Sequence, residues 1–136
     1  MRKAFTTSLL VIISCVGPAD PDHGLVENLP AIVNKSDAFT FSLRADNFNY
    51  NESFPLSLSI SSNKKMLSTL IITDFSSNDS SIIQILGDND SVVFNYLINL
   101  NKTHSSSINY TNPKTASLRL NSFSGILNWV ITESSE

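Results

Sequence analysis

The chain has 136 residues, 41% of them hydrophobic and only 15% charged, with a formal net charge of −3. That is enough for one domain with a real core, and eight Phe with many Ile, Leu and Val exclude compositional disorder. Asn, Ser and Thr make up roughly a third of the chain, so amides and hydroxyls rather than ion pairs keep its surface in water. Beyond Arg2 and Lys3 the only adjacent basic pair is Lys64-Lys65, which leaves nucleic-acid binding without electrostatic support.

The amino terminus reads MRKAFTTSLLVIISC. Arg2 and Lys3 form a positive start and Ala4 to Ile13 an apolar run broken by Thr6, Thr7 and Ser8. As a helix those ten residues would span about 15 Å, half of a bilayer core. That is the length of a signal peptide's apolar segment, too short for a comfortable span. Cys15 is the single cysteine of the chain, so no disulfide framework can form.

Ile12-Ile13-Ser14-Cys15 resembles the lipobox of bacterial lipoproteins: an aliphatic residue, a permissive position, a small residue and the cysteine. The resemblance covers residues 1–15 alone. It implies that residues 1–14 are a signal peptide, that the Cys15 thiol takes a diacylglyceryl group, and that cleavage precedes Cys15. Each buried CH₂ adds roughly 0.8 kcal/mol to membrane affinity, so two or three acyl chains would hold a small domain without any protein contact. An ordinary secretory signal cleaved near Ala19 and an uncleaved anchor are the alternatives. Val16, rather than Asp, follows the cysteine; by the same resemblance this favours the outer membrane or cell surface over the inner membrane.

Residues 15–33 are expected to form the lipidated cysteine and an extended tether, with Pro18 and Pro21 opposing regular structure. His23 lies in this tether with only Asp20 and Asp22 near it, a solvated linker rather than a metal site. Within LVENLPAIV a first edge strand can dock the tether, since proline is tolerated at sheet edges.

Residues 34–136 are then one domain, in which apolar and polar residues alternate with period two. Phe39, Phe41 and Leu43 form one such run; Phe54, Leu56, Leu58 and Ile60 a second. Leu67 to Phe75 is denser, Ile82 to Leu86 short. Val92, Phe94, Tyr96, Ile98 and Leu100 share a face, Ile108 and Tyr110 mark a weaker strand, and Ala116, Leu118 and Leu120 another. Leu127, Trp129 and Ile131 close the series. Asn-, Asp-, Ser- and Gly-rich turns fall between the runs, including Ser124-Gly125 within an expected closing hairpin. Seven or eight short strands without helical periodicity predict an all-β fold, a small antiparallel sandwich of jelly-roll or immunoglobulin-like type.

Catalysis has little to stand on. The histidines are His23 in the tether and His104 in a Ser-rich stretch read as a loop, and no G-x-S-x-G elbow is present. A carboxylate mechanism would need some of Asp46, Glu52, Asp74, Asp79, Asp88 and Asp90 to converge. The chain reads as a non-enzyme with no implied cofactor and no metal; Asp88 and Asp90 are weak calcium candidates, because calcium needs six to eight oxygens. The strongest binding hypothesis lies in DNFNYNESF, read as a loop, where Phe48, Tyr50 and Phe54 interleave with amides. Flat rings beside hydrogen-bonding groups suit a sugar; the alternative is that the rings plug the core. Trp129, between Leu127 and Ile131, reads as core. Six N-x-S/T sequons, at Asn34, Asn51, Asn78, Asn89, Asn101 and Asn109, follow from composition rather than glycosylation. Three classes result: a lipid-anchored module binding a glycan or protein, a structural or accessory lipoprotein of an envelope complex, and a carboxylate-dependent hydrolase.

Overall fold

A computed structural model describes residues 24–109 and 111–134. Seven strands account for most of them: β1 (Ala31–Asn34), β2 (Ala38–Pro55), β3 (Lys65–Thr73), β4 (Ser81–Leu86), β5 (Val92–Ile98), β6 (Lys102–Ile108) and β7 (Thr115–Ser134). One 3₁₀ turn, Asp88–Asp90, joins β4 to β5. All pairings between these strands are antiparallel, and the fold is an all-β antiparallel sandwich.

Two strands organise it. β2 has 18 residues and β7 has 20, far beyond the usual five or six. They pair along almost their whole length, from Ala38↔Thr132 to Pro55↔Thr115. The carboxy-terminal half of β7 also pairs with β3, and β3 with β6. The amino-terminal half of β7 also pairs with β4, and β4 with β5. The hydrogen-bonded surface therefore folds over on itself. One layer runs β1, first half of β2, second half of β7, β3, β6. The other runs second half of β2, first half of β7, β4, β5.

The fold-over is written in the parity of the apolar residues. In β2 the buried positions are odd up to the bend (Phe39, Phe41, Leu43, Ala45), and the inward rings beyond it are even (Phe48, Tyr50, Phe54). In β7 they are even first (Ala116, Leu118, Leu120) and, apart from Ile126 next to Gly125, the large ones are odd afterwards (Phe123, Leu127, Trp129, Ile131). A side-chain period of two means that one extra residue turns every later side chain to the other face. Each strand carries one: the register shifts between Ala45 and Phe48 and again between Phe48 and Tyr50. The positive φ values of Asn47, Ser122 and Gly125 lie at the same bends.

Gly125 is required there. Its φ is +144°, and a Cβ would stand 2.9 Å from the Thr73 carbonyl oxygen and 3.2 Å from the Phe75 Cα. Polar side chains satisfy the backbone groups that the bends release. Asn28 Oδ1 accepts from Asp46 N–H at 2.9 Å, Ser124 Oγ from Asn47 N–H at 2.8 Å, Asn49 Oδ1 from Ser122 N–H at 2.9 Å, and Ser77 Oγ from Ser124 N–H at 2.7 Å. The abundance of Asn and Ser thus pins irregular backbone as well as keeping the surface wet.

The layers meet on a dry core of Phe39, Phe41, Leu70, Ile83, Leu118, Phe123 and Trp129, among others. Trp129 is fully buried, stands edge-on to Phe39 and Tyr96, and donates its Nε1–H to Ser68 Oγ at 2.9 Å. Burial of this indole is tolerated because its N–H keeps a partner.

Four sequence expectations change. The stretch 46–53 is not a loop but the bend and second half of β2. The run from Phe54 to Ile60 is a strand only as far as Pro55, although Leu58 and Ile60 still bury their side chains. The closing hairpin is the single bent strand β7, because Ser122 and Gly125 bend the chain without reversing it. The Ser-rich stretch around His104 is strand β6, whose polar residues suit an edge. β1 falls where an edge strand was expected, at the end of LVENLPAIV, and is tied down by Asn34, whose amide reaches Pro55 O at 2.7 Å and Ser57 N–H at 2.8 Å.

Candidate functional site

The three aromatic candidates fall on the second half of β2, whose only strand partner is β7. Phe48 and Tyr50 stack with ring centroids 5.8 Å apart and planes at 25°. Tyr50 also meets Phe41 at 5.7 Å, and Phe54 meets Phe39 at 6.4 Å. All three are half-buried and pack on the core. The sequence pattern therefore has two causes at once: the rings close the side of the sandwich, and each keeps some surface in water. Glu52 stands opposite Leu118, on the inward side of the same edge, yet remains exposed. Burial, with the Glu52 charge second, pushes the Tyr50 phenol up from its usual 10.0. Asn49 and Asn51 alternate with the rings along the strand and are exposed, and Asn49 is engaged with Ser122.

A polar cleft of about 390 Å³ opens at the bends, lined by Glu27, Arg44, Asp46, Asp74 and Ser124. Ser124 Oγ donates to Asp46 Oδ1 at 3.3 Å, and Arg44 approaches Glu27 at 4.0 Å. Asp46 thus has a hydroxyl partner and Glu27 a guanidinium. A second cleft, of about 460 Å³, separates the edges of β5 and β6 and is lined by Phe94, Tyr96, Leu97, Lys102 and His104. Phe94 stacks on Tyr96 at 5.9 Å, and His104 stands edge-on to Tyr96 at 5.5 Å. The Tyr96 hydroxyl is buried without a hydrogen bond. Burial pushes its phenol up, opposed by the nearby Ser68 hydroxyl, which itself accepts from Trp129. The sequence showed Phe94 and Tyr96 only as sharing a strand face; the cleft lies between the open edges of β5 and β6, which belong to different layers, a fact of topology and not of local pattern.

Other candidates disperse. Asp88 pairs with Lys114 at 3.6 Å, and Asp90 follows it in the 3₁₀ turn, where Asn89 and Asp90 take positive φ. Among the described residues no group of three or more His, Cys, Asp or Glu side chains could hold a metal ion. Cys15 and His23 lie outside the described residues, as does the first part of the expected tether, up to His23.

No protein-family model matches the chain, and no curated protein matches it. Among solved structures it is similar to a chain from Bacillus endospore appendages, which form a family of disulfide-linked pili. That match has 12% identity, covers 76% of this chain and 88% of the other, and has a TM-score of 0.41. It is also similar to an RmlC-like cupin protein from Desulfovibrio desulfuricans, at 10% identity over 95% of this chain and 97% of the other, with a TM-score of 0.33.

Proposed function

We propose that the protein is an exported, lipid-anchored, non-catalytic β-sandwich of the cell envelope that binds a glycan or a protein ligand. The anchor reading is supported by the leader, in which charge, apolar run and Ile12-Ile13-Ser14-Cys15 follow in order. It puts the domain at the outer membrane or cell surface, held by acyl chains on Cys15 with the membrane as its first partner. The binding reading is carried by one observation: the stacked Phe48–Tyr50 pair lies half-exposed on a strand with one free edge, on the same face as the exposed Glu52. A flat apolar face beside a carboxylate matches the two sides of a sugar ring.

Two experiments test these parts separately. Cys15→Ala should abolish membrane fractionation and the mass increment of the acyl groups; unchanged mass and fractionation would refute the anchor. Tyr50→Leu keeps apolar volume against Phe41 while removing the flat ring. It should weaken binding on a glycan array with circular dichroism unchanged, and a wild-type protein that binds nothing on a broad array removes the glycan reading.

A further inference from the structure

Four strand edges are open among the described residues: β1, the second half of β2, β5 and β6. An open edge is a template for another strand, and proteins blunt it with short length, charge, proline or bulges. β1 has four residues. The second half of β2 follows two register shifts, carries Glu52 on its inward side and ends at Pro55. β6 turns Lys102 and His104 inward, opposite the buried Ile72 and Leu70. β5, VVFNYLI, has neither charge nor proline, and its one register shift lies at its start, leaving Phe94–Ile98 regular. Large apolar residues are exposed along it and at its exit: Val92 at 58%, Leu97 at 46% and Leu100 at 50%.

We infer that β5 is a self-association edge, on which a second copy of this chain adds its own β5 antiparallel about a two-fold axis. The charge distribution selects both occupant and direction. Asp88 and Asp90 precede the strand, while Lys102 stands at its far end, its Nζ 3.1 Å from the Leu97 carbonyl oxygen. Antiparallel pairing of two copies sets each acidic end beside the other's lysine; parallel pairing sets like charge against like. With the axis at Asn95, amide meets amide on the outer face and Phe94 meets the second copy's Tyr96, an aromatic cross-strand pair of the favourable kind. The contact is isologous, so it closes at two copies. It requires neither the lipid nor the glycan reading.

Cysteine cross-linking of the full chain tests the register, with wild type, which retains Cys15, as the background. Asn95 residues facing each other across the axis would have Cα atoms about 5 Å apart, inside the range a disulfide spans. Leu97 residues would lie about 14 Å apart, four residues of strand, and cannot bridge. Asn95→Cys is expected to give several-fold more covalent dimer on a non-reducing gel than Leu97→Cys or wild type. In non-ionic detergent the wild-type chain should show the mass of a dimer by light scattering, and Leu97→Lys that of a monomer. Equal cross-linking at positions 95 and 97, a monomeric wild type, or a dimer that survives Leu97→Lys would each overturn the inference.

Discussion

Replacing Gly125 by Ala tests the bend of β7 directly. The added Cβ would lie 2.9 Å from the Thr73 carbonyl oxygen, 3.2 Å from the Phe75 Cα and 3.3 Å from the Asp74 carbonyl oxygen. All three are backbone atoms, so no rotamer change can relieve them. The φ of +144° adds its own penalty, about 1–3 kcal/mol for an L-residue in such a region. Overpacking against fixed atoms costs a further ~1–3 kcal/mol. A loss of about 2–6 kcal/mol is a large share of the ~5–15 kcal/mol that holds an ordinary domain. The assay is urea unfolding followed by tryptophan fluorescence, since Trp129 is fully buried. With a slope of roughly 1–2 kcal/mol per molar urea, the midpoint should fall by at least about 1 M. Gly24→Ala is the control: its φ is +65°, but nothing lies within 4 Å of the added Cβ, so only the backbone preference of ~1–2 kcal/mol is at stake. A Gly125→Ala variant no less stable than Gly24→Ala would refute the reasoning.

Three further outcomes follow from buried or bonded groups. Ser68→Ala leaves the Trp129 Nε1–H without its partner and should cost about 1–3 kcal/mol by the same urea assay. Tyr96→Phe removes a buried, unbonded hydroxyl and should stabilise by about 1 kcal/mol at neutral pH. Because the folded phenol is raised above 10.0, its contribution is complete below that pH and lost as pH rises through the folded value. The variant should therefore also flatten the alkaline loss of stability in thermal melts. Glu133 runs the other way: the Ser61 backbone N–H, 2.7 Å away, is the main cause that lowers its carboxyl below 4.5. Its contribution is present above that pH and lost as pH falls through the folded value, so Glu133→Gln should show a shallower acid decline in melts.

The fold class was legible because period-two alternation is local. Trp129 between Leu127 and Ile131 declares a buried strand face, and it is one. The long strands were not legible as single elements. A parity switch such as Leu43 to Phe48 or Leu120 to Phe123 fits a reversal as well as a bulge; the turn-forming residues Asn47, Ser122 and Gly125 occur in either. What decides between them is the pairing of β2 with β7 across both layers, a relation between residues up to about ninety positions apart. The aromatic site was half legible. Phe48, Tyr50 and Phe54 were found by composition, but their inward packing follows from the even parity that the bulge imposes.

Because β2 and β7 serve both layers, neither layer can melt while the other stays whole. Their central amides should share one slow hydrogen-exchange class set by global unfolding, while β1, β5 and β6, each held along one side, open locally and exchange sooner. The same sharing makes folding wait for the two ends of the domain to find each other. Loop closure over that span comes before most of the stabilising contacts, so this small protein should fold slowly for its size.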